Sequence, residues 1–295
     1  MPHICYEDWK PQAAALHIVE LCNEIITEYA AQGFTLTLRQ LYYQLVARDY
    51  IANKQAEYER LSTIVSRGRR AGMIDWDAIE DRTRFLRERS SWTSPSALVD
   101  ICAETFHIDF WENQTYRPEV WIEKDALVGV FEGVCNELDI PFFSCRGYTS
   151  DSEMWRAGCR LRGHMQNDQV PYILHFGDHD PSGIDMTRDI GDRLGLFSKY
   201  FEPSFPIKRM ALNMDQVKKY APPPNPAKLT DARATKYIEK YGASSWELDA
   251  LSPQALADLV RNEIETIRDY DAWCIKVQER RDGRAVLREI ADTIE

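Results

Sequence analysis

The chain has 295 residues, 44% of them hydrophobic and 28% charged, which is typical of a folded globular protein with room for two domains. Its apolar runs are too short to cross a bilayer and its N-terminus lacks a signal-peptide pattern, so we expect a cytoplasmic protein with no membrane partner. Seven scattered cysteines without a C-x-x-C pair indicate reduced thiols rather than disulfides or a zinc site. The net charge of −11 does not exclude nucleic acid, because phosphate contacts depend on where basic residues cluster.

The first third of the chain predicts three helices. An amphipathic pattern covers residues 13–31, and Thr37 has the capping-box pattern that begins a second helix over about 38–48. A third helix is predicted over about 56–71, and residues 73–85 predict a turn with short strands. Three helices followed by a small ribbon are typical of a winged helix.

A different pattern follows the Ser- and Pro-containing stretch at 90–96. Short apolar strands alternate with helical stretches, which predicts an α/β fold with a parallel, helix-covered sheet. The predicted strands are Val120–Ile122, Pro141–Cys145 and Tyr172–Phe176, and the helices lie at 125–138, 150–165 and 184–194. We therefore expect a winged-helix domain (1–92), a connecting segment (93–117), a sheet domain (118–215) and a mostly helical C-terminal region that completes the sheet half (216–295).

Two adjacent tyrosines lie on the predicted second helix. Tyr42 falls on its apolar face with Leu41 and Leu45, which predicts a core position. Tyr43 points about 130° away from the middle of that face, on the side of Arg39, so we expect it to be available to a partner. A tyrosine pair by itself more often serves packing or an interface.

The predicted third helix separates apolar from basic residues. Its buried side holds Tyr58, Leu61, Val65 and Gly68, and the opposite side carries Arg60, Thr63, Arg67 and Arg70. In a winged helix this element enters the major groove, where arginines pair with phosphates or guanine edges. The alternative is that these basic residues bind no DNA and only form a solvated face of the helix.

Three acids follow predicted strands. Glu123 comes directly after one strand, and Asp178 and Asp180 follow another. Sites in open parallel sheets form beyond the carboxyl ends of strands, so these acids could converge. Ligands that offer only oxygen favour magnesium. Lys124 is a candidate phosphate contact, and His179 is either a packing residue or close to the metal.

Five motifs together resemble the topoisomerase VI A subunit and its meiotic double-strand-break relatives, most closely the minimal bacterial, plasmid or phage versions called topoisomerase mini-A. R-Q-L-Y-Y resembles the tyrosine motif, three further motifs resemble the Toprim motifs, and E-L-D-A-L matches a C-terminal stretch. In order, they lie at 39–43, 121–126, 145–150, 177–183 and 247–251.

The resemblance implies a winged-helix domain followed by a Toprim domain, in a magnesium-dependent enzyme that cleaves double-stranded DNA. It implies that Tyr43 is the nucleophile and forms a 5′-phosphotyrosine link, assisted by Arg39. It also implies that Glu123, Asp178 and Asp180 hold Mg²⁺. Breaking both strands needs two tyrosines, so we expect a homodimer. The resemblance implies that each Tyr43 works with the acids of the partner subunit.

The chain has no P-loop, so coupling of the reaction to ATP would need a separate ATPase B-type subunit.

Two other functions remain open on the sequence. A hydrolytic Toprim nuclease of the plasmid- or phage-defence type would use metal-activated water, with Tyr43 as a bystander. A non-catalytic DNA-binding protein would not cleave at all.

Overall fold

Three helices pack around one core in the N-terminal part of the computed structural model, which describes residues 3–79, 89–197 and 205–294. They are α1 (Ala13–Ala31), α2 (Leu38–Ala47) and α3 (Gln55–Arg70), each within one or two residues of its predicted bounds. The predicted capping box is present, because the Thr37 side chain accepts a hydrogen bond from the Gln40 N–H and the Gln40 side chain accepts one from the Thr37 N–H.

The predicted ribbon after α3 lies partly outside the described residues. Over residues 73–79 the structure shows one isolated bridge, between Leu36 and Ile79, and residues 80–88 are not described. The core of this unit includes Ile25, Leu41 and Leu61, which are buried. The three predicted helices are therefore confirmed, and they pack around one core.

A four-stranded parallel sheet follows, as the alternating pattern predicted. Its strands are β1 (Tyr116–Ile122), β2 (Phe142–Ser144), β3 (Val170–Phe176) and β4 (Ile207–Ala211). They lie in the order β2-β1-β3-β4. The edge strand β4 had no counterpart in the sequence prediction, and β1 and β3 begin earlier than predicted.

Helices cover both faces of the sheet, which explains why its central strands are apolar on both sides. On one face, Phe131 and Leu256 pack against Val120 and Leu174. On the other face, Leu161 and its neighbours pack against Trp121. The covering helices are α5 (Val128–Glu137), α6 (Asp151–Gln166), α7 (Pro181–Phe197) and α10 (Pro253–Ile267).

The C-terminal region is mostly helical, as predicted. Its long last helix, α11 (Tyr270–Thr293), packs along α4 (Pro95–Thr105), which lies within the predicted connecting segment. The remaining elements are α8 (Met214–Tyr220), α9 (Ala234–Tyr241) and the antiparallel pair β5 (Asn225–Pro226) and β6 (Ser244–Ser245). Among the described residues, no helix combines the length and apolar character needed to cross a membrane.

Candidate active site

The N-terminal helices and the sheet meet at a cavity of about 400 Å³. From α2 it is lined by Arg39, Tyr42 and Tyr43, and from the loop after β3 by Asp178 and Asp180. Glu247 contributes from the segment before a short 3-10 turn, Leu248–Ala250, that packs against α2. The fold thus brings three of the sequence motifs to one place.

Tyr43 is buried, with 4% of its surface exposed, which corrects the expectation that it would be available on the outside of α2. The helical projection placed it away from the α2 apolar face, but the Leu248–Ala250 turn covers this second face. Its ring packs against Tyr42 at 5.3 Å and lies 5.7 Å from the Arg39 guanidinium. Tyr42 is buried as predicted, and its hydroxyl donates to Asn53 Oδ1 at 3.1 Å.

Two cations and three carboxylates form a network beside Tyr43. Lys124 Nζ lies 3.0 Å from Asp178, 2.9 Å from Glu247 and 3.1 Å from Asp249. Arg39 pairs with Glu247 at 2.6 Å and with Asp249 at 3.0 Å. Lys124 was predicted to contact DNA phosphate, but the structure holds its ammonium among these carboxylates.

The electrostatics of this network keep Tyr43 protonated. Burial and the negative charges of Asp249 and Glu247 raise the pKa of Tyr43, and Arg39 opposes them only in part. Burial raises the pKa of Glu247, but Lys124 and Arg39 outweigh this and lower it to about 2. Glu247 is therefore too weak a base to take the proton of Tyr43.

The three predicted acids lie at the carboxyl ends of β1 and β3, as expected. Glu123 Oε2 accepts a hydrogen bond from the Asp178 N–H at 2.7 Å. Asp178 Oδ1 accepts one from the Leu248 N–H at 2.7 Å, and Asp180 Oδ1 accepts one from the Gly183 N–H at 2.6 Å. These bonds hold one oxygen of each carboxylate.

Burial and mutual repulsion raise the pKa values of two of these acids. Burial raises the pKa of Glu123, and the negative charge of Asp180 adds to this effect. Burial, with the charges of Glu123 and Asp249, raises the pKa of Asp178 to about 7 against the attraction of Lys124. A donor set made only of carboxylate oxygens fits a hard ion such as Mg²⁺. Within the described ranges, no three His, Cys, Asp or Glu side chains are placed so that they could already hold a metal ion.

Arg209 on β4 holds the loop that carries these acids, and no sequence pattern pointed to it. It is half-buried and donates to the carbonyl oxygens of Gly177 at 3.0 Å, Asp178 at 2.6 Å and Gly183 at 2.8 Å. The two glycines are also required by space, because a Cβ on Gly177 would lie 2.8 Å from Glu123 Oε2. A Cβ on Gly183 would collide with the Asp178 carbonyl oxygen.

His179 is a packing residue in this structure. It is buried, its ring nitrogen Nδ1 lies 2.7 Å from the Tyr237 hydroxyl, and its backbone bridges to Trp246. Burial lowers the pKa of its imidazole to about 4, so the ring is neutral at pH 7. Of the two interpretations of His179, the structure supports the packing role.

The basic face of α3 lies along a separate groove that the N-terminal segment borders. Arg60, Thr63 and Arg67 are exposed as predicted, and Arg67 lies 4.9 Å from the Trp9 ring. This face has acidic neighbours in the fold. Arg60 pairs with Glu57 at 3.0 Å, and the half-buried Arg70 pairs with Glu7 at 2.7 Å.

Tyr43, Asp178 and Asp180 of one chain line one cavity. The expectation that Tyr43 acts with the acids of a partner subunit stays a prediction, because the structure contains one chain. Comparisons of the chain with family models, with curated proteins and with solved structures find no match.

Proposed function

We propose that this protein is a magnesium-dependent DNA-cleaving transesterase with Tyr43 as its nucleophile. In this proposal α1–α3 belong to a winged-helix domain and the parallel sheet is a Toprim domain. The observation that carries it is the cavity that Tyr43 and Arg39 share with Asp178 and Asp180. A phenol, a guanidinium and an acidic cluster are the groups that a tyrosine transesterase needs at one phosphate.

In the proposed reaction, the Tyr43 oxygen attacks a DNA phosphorus and the bond from phosphorus to the 3′-oxygen breaks. The phenol loses its proton, the leaving 3′-oxygen gains one, and the protein remains on the 5′-phosphate. One phosphoester replaces another, so the reverse reaction reseals the strand without a nucleotide cofactor.

Tyr43 needs activation. For an ordinary tyrosine, phenolate formation at pH 7 costs about 4 kcal/mol, and the raised pKa of Tyr43 increases this cost. A DNA phosphate entering the cavity would compete with Glu247 and Asp249 for Arg39, which is half exposed and can reorient. Arg39 would then stabilise charge on the phosphate, as a bidentate guanidinium does.

The same proposal assigns Mg²⁺ to Glu123, Asp178 and Asp180. A bound Mg²⁺ supplies positive charge where the phosphate becomes more negative in the transition state. Its charge also relieves the repulsion that raises the pKa of Glu123 and Asp178. Lys124 contacts the Asp178 carboxylate and Arg209 donates to the Asp178 carbonyl oxygen, so both position this acid.

One gel tests the proposal. Supercoiled plasmid is incubated with the protein and Mg²⁺, with and without ATP, and run before and after protease digestion. We expect linear DNA that enters the gel normally only after protease, and no such product with Tyr43→Phe. Tyr42→Phe is the matched control, because it removes the neighbouring hydroxyl and should retain cleavage.

A hydrolytic nuclease is the second candidate, and the burial of Tyr43 favours it. A buried phenol whose pKa is raised by burial and by nearby carboxylates is a poor nucleophile, whereas acids alone suffice to bind metal and activate water. Hydrolysis predicts linear or nicked DNA that needs no protease to enter the gel. It also predicts full activity in Tyr43→Phe.

We also propose that the enzyme acts as a homodimer on the two strands, with each site built within one chain. Mixed dimers of a Tyr43→Phe protomer and a Glu123→Ala protomer test this arrangement. If each site lies within one chain, a confirmed heterodimer has no intact site and does not cut. Nicking of one strand by that heterodimer would establish sites shared between subunits.

A further inference from the structure

A second cavity, of about 1110 Å³, lies at the other end of the sheet from the candidate active site. Its lining includes Arg117 near the start of β1 and Phe142 at the start of β2, whereas the acids of the active site follow the ends of strands. Ile140, Pro141 and Phe142 give it an apolar side. None of its lining residues belongs to the site already described.

Each of the two acids that line this cavity contacts a basic residue. Arg117 forms an ion pair with Asp109 at 2.6 Å. His107 Nε2 lies 2.7 Å from Asp139 Oδ1, a contact that balances charge only when the imidazole is protonated.

The arginines of α11 remain without such a partner. Arg284 lines the cavity and donates its Nε–H to the Phe106 carbonyl oxygen at 3.1 Å. Arg280 lies 4.6 Å from the Phe110 ring, and its buried Nε has no hydrogen-bond partner. Within the described part of the chain, Arg280, Arg281 and Arg284 form no ion pair.

Arginines that form no ion pair attract anions. Burial lowers the pKa of Arg280, the positive charges of Arg284 and Arg281 add to this effect, and the negative charge of Asp139 opposes it. At the active site, by contrast, Arg39 and Lys124 each have carboxylate partners. Guanidinium groups bind phosphate with paired N–H donors, and such charged hydrogen bonds are strong when partly buried.

We propose that this cavity binds a small phosphate-bearing ligand of about nucleotide size. Arg284, with Arg280 beside it, pairs with the phosphate, and the organic part lies against Ile140, Pro141 and Phe142. The volume is near the upper end of that of small-molecule sites, and apolar walls with a few charged groups are typical of them. The proposal does not depend on DNA cleavage.

Calorimetry on the full chain tests this proposal, with inorganic pyrophosphate and ATP as probes. The titrations are done in EDTA, so that the acidic cluster at the active site cannot hold a metal–nucleotide complex. We expect both probes to bind, and ATP to bind more tightly because its base covers the apolar side. Arg284→Gln should weaken both by about tenfold or more, since a charged hydrogen bond is lost.

Two further variants control for folding. Arg156→Gln removes an exposed arginine on α6 and should bind both probes like wild type. Asn136→Asp adds a carboxylate at an exposed position of the cavity wall, and should weaken binding without disturbing the core. If Arg284→Gln fails to fold, the affinity of Asn136→Asp for the two probes alone decides whether the proposal stands.

Three results would overturn the proposal. The first is the absence of binding by wild type, and the second is wild-type affinity in Asn136→Asp or in folded Arg284→Gln. The third is equal affinity for pyrophosphate and ATP, which would remove the assigned role of the apolar side. Competitive displacement of either probe by a DNA duplex would instead make this surface a nucleic-acid contact.

Discussion

Arg39 on α2 and Glu247 in the C-terminal half are 208 positions apart in sequence, yet Arg39 Nη2 and Glu247 Oε2 lie 2.6 Å apart. Glu247 also accepts a hydrogen bond from Lys124, and its negative charge raises the pKa of Tyr43. This one carboxylate therefore links the helix that carries the tyrosine to the segment that carries the acids. The link makes the position of Tyr43 depend on both halves of the chain.

Glu247→Gln should destabilise the fold by about 3 kcal/mol at pH 7, because it leaves Lys124 and Arg39 with fewer counter-charges. The folded pKa of Glu247, about 2, lies below its ordinary value of 4.5. The stabilisation is therefore complete above pH 4.5 and is lost as the pH falls toward 2. Urea unfolding of wild type and variant between pH 7 and pH 3 should show that their free energies of unfolding converge as the pH falls. A difference that stays constant over this range would contradict the assigned charge interaction.

Gly183→Ala should destabilise the protein by about 1–3 kcal/mol and reduce cleavage, since its Cβ would collide with the Asp178 carbonyl oxygen and displace the acidic loop. Gly195→Ala, on the same helix, is the control. Nothing lies within 4 Å of its added Cβ, so stability should rise by about 0.5–1 kcal/mol. Thermal unfolding of both variants measures the difference. Equal behaviour would show that the loop tolerates a side chain at Gly183.

Several elements could be predicted from the sequence because their causes are local. The amphipathic period gave α1 and α3, the Thr37 cap gave the start of α2, and strand–helix alternation gave the parallel sheet. The burial of Tyr43 could not be predicted, since its cover comes from the Leu248–Ala250 turn, more than 200 residues away. Two partners of Lys124, Glu247 and Asp249, are also distant in sequence, at 123 and 125 positions.

Asp178→Asn should abolish stabilisation by Mg²⁺ while keeping the fold, because the amide oxygen can still accept the Leu248 N–H. In wild type, Mg²⁺ at one hundred times its dissociation constant should add about 2.7 kcal/mol to the free energy of unfolding. Thermal melts with Mg²⁺ and with EDTA measure this, and the exposed Asp192→Asn serves as control. An unchanged Mg²⁺ effect in Asp178→Asn, or undiminished cleavage in EDTA, would contradict the assignment of Mg²⁺ to this site.

Arg67→Ala should weaken DNA binding and lower the slope of log affinity against log salt by about one phosphate equivalent. Arg67 is exposed on α3 beside Trp9, so its removal should leave the core intact. Fluorescence anisotropy over a salt series gives both quantities, with Arg156→Ala on α6 as control. An Arg67→Ala slope equal to that of the wild type would place the DNA on another surface.

The most direct measurement of the central claim is the identification of the residue that becomes attached to DNA. Cleavage is trapped by denaturant, the DNA is digested with nuclease, and trypsin then releases the peptide between Arg39 and Arg48, which contains both tyrosines. Mass spectrometry with fragmentation assigns the nucleotide to one side chain. We predict a nucleotide joined through its 5′-phosphate to Tyr43. An adduct on Tyr42 or elsewhere, or DNA cut without any adduct, would contradict the proposed mechanism.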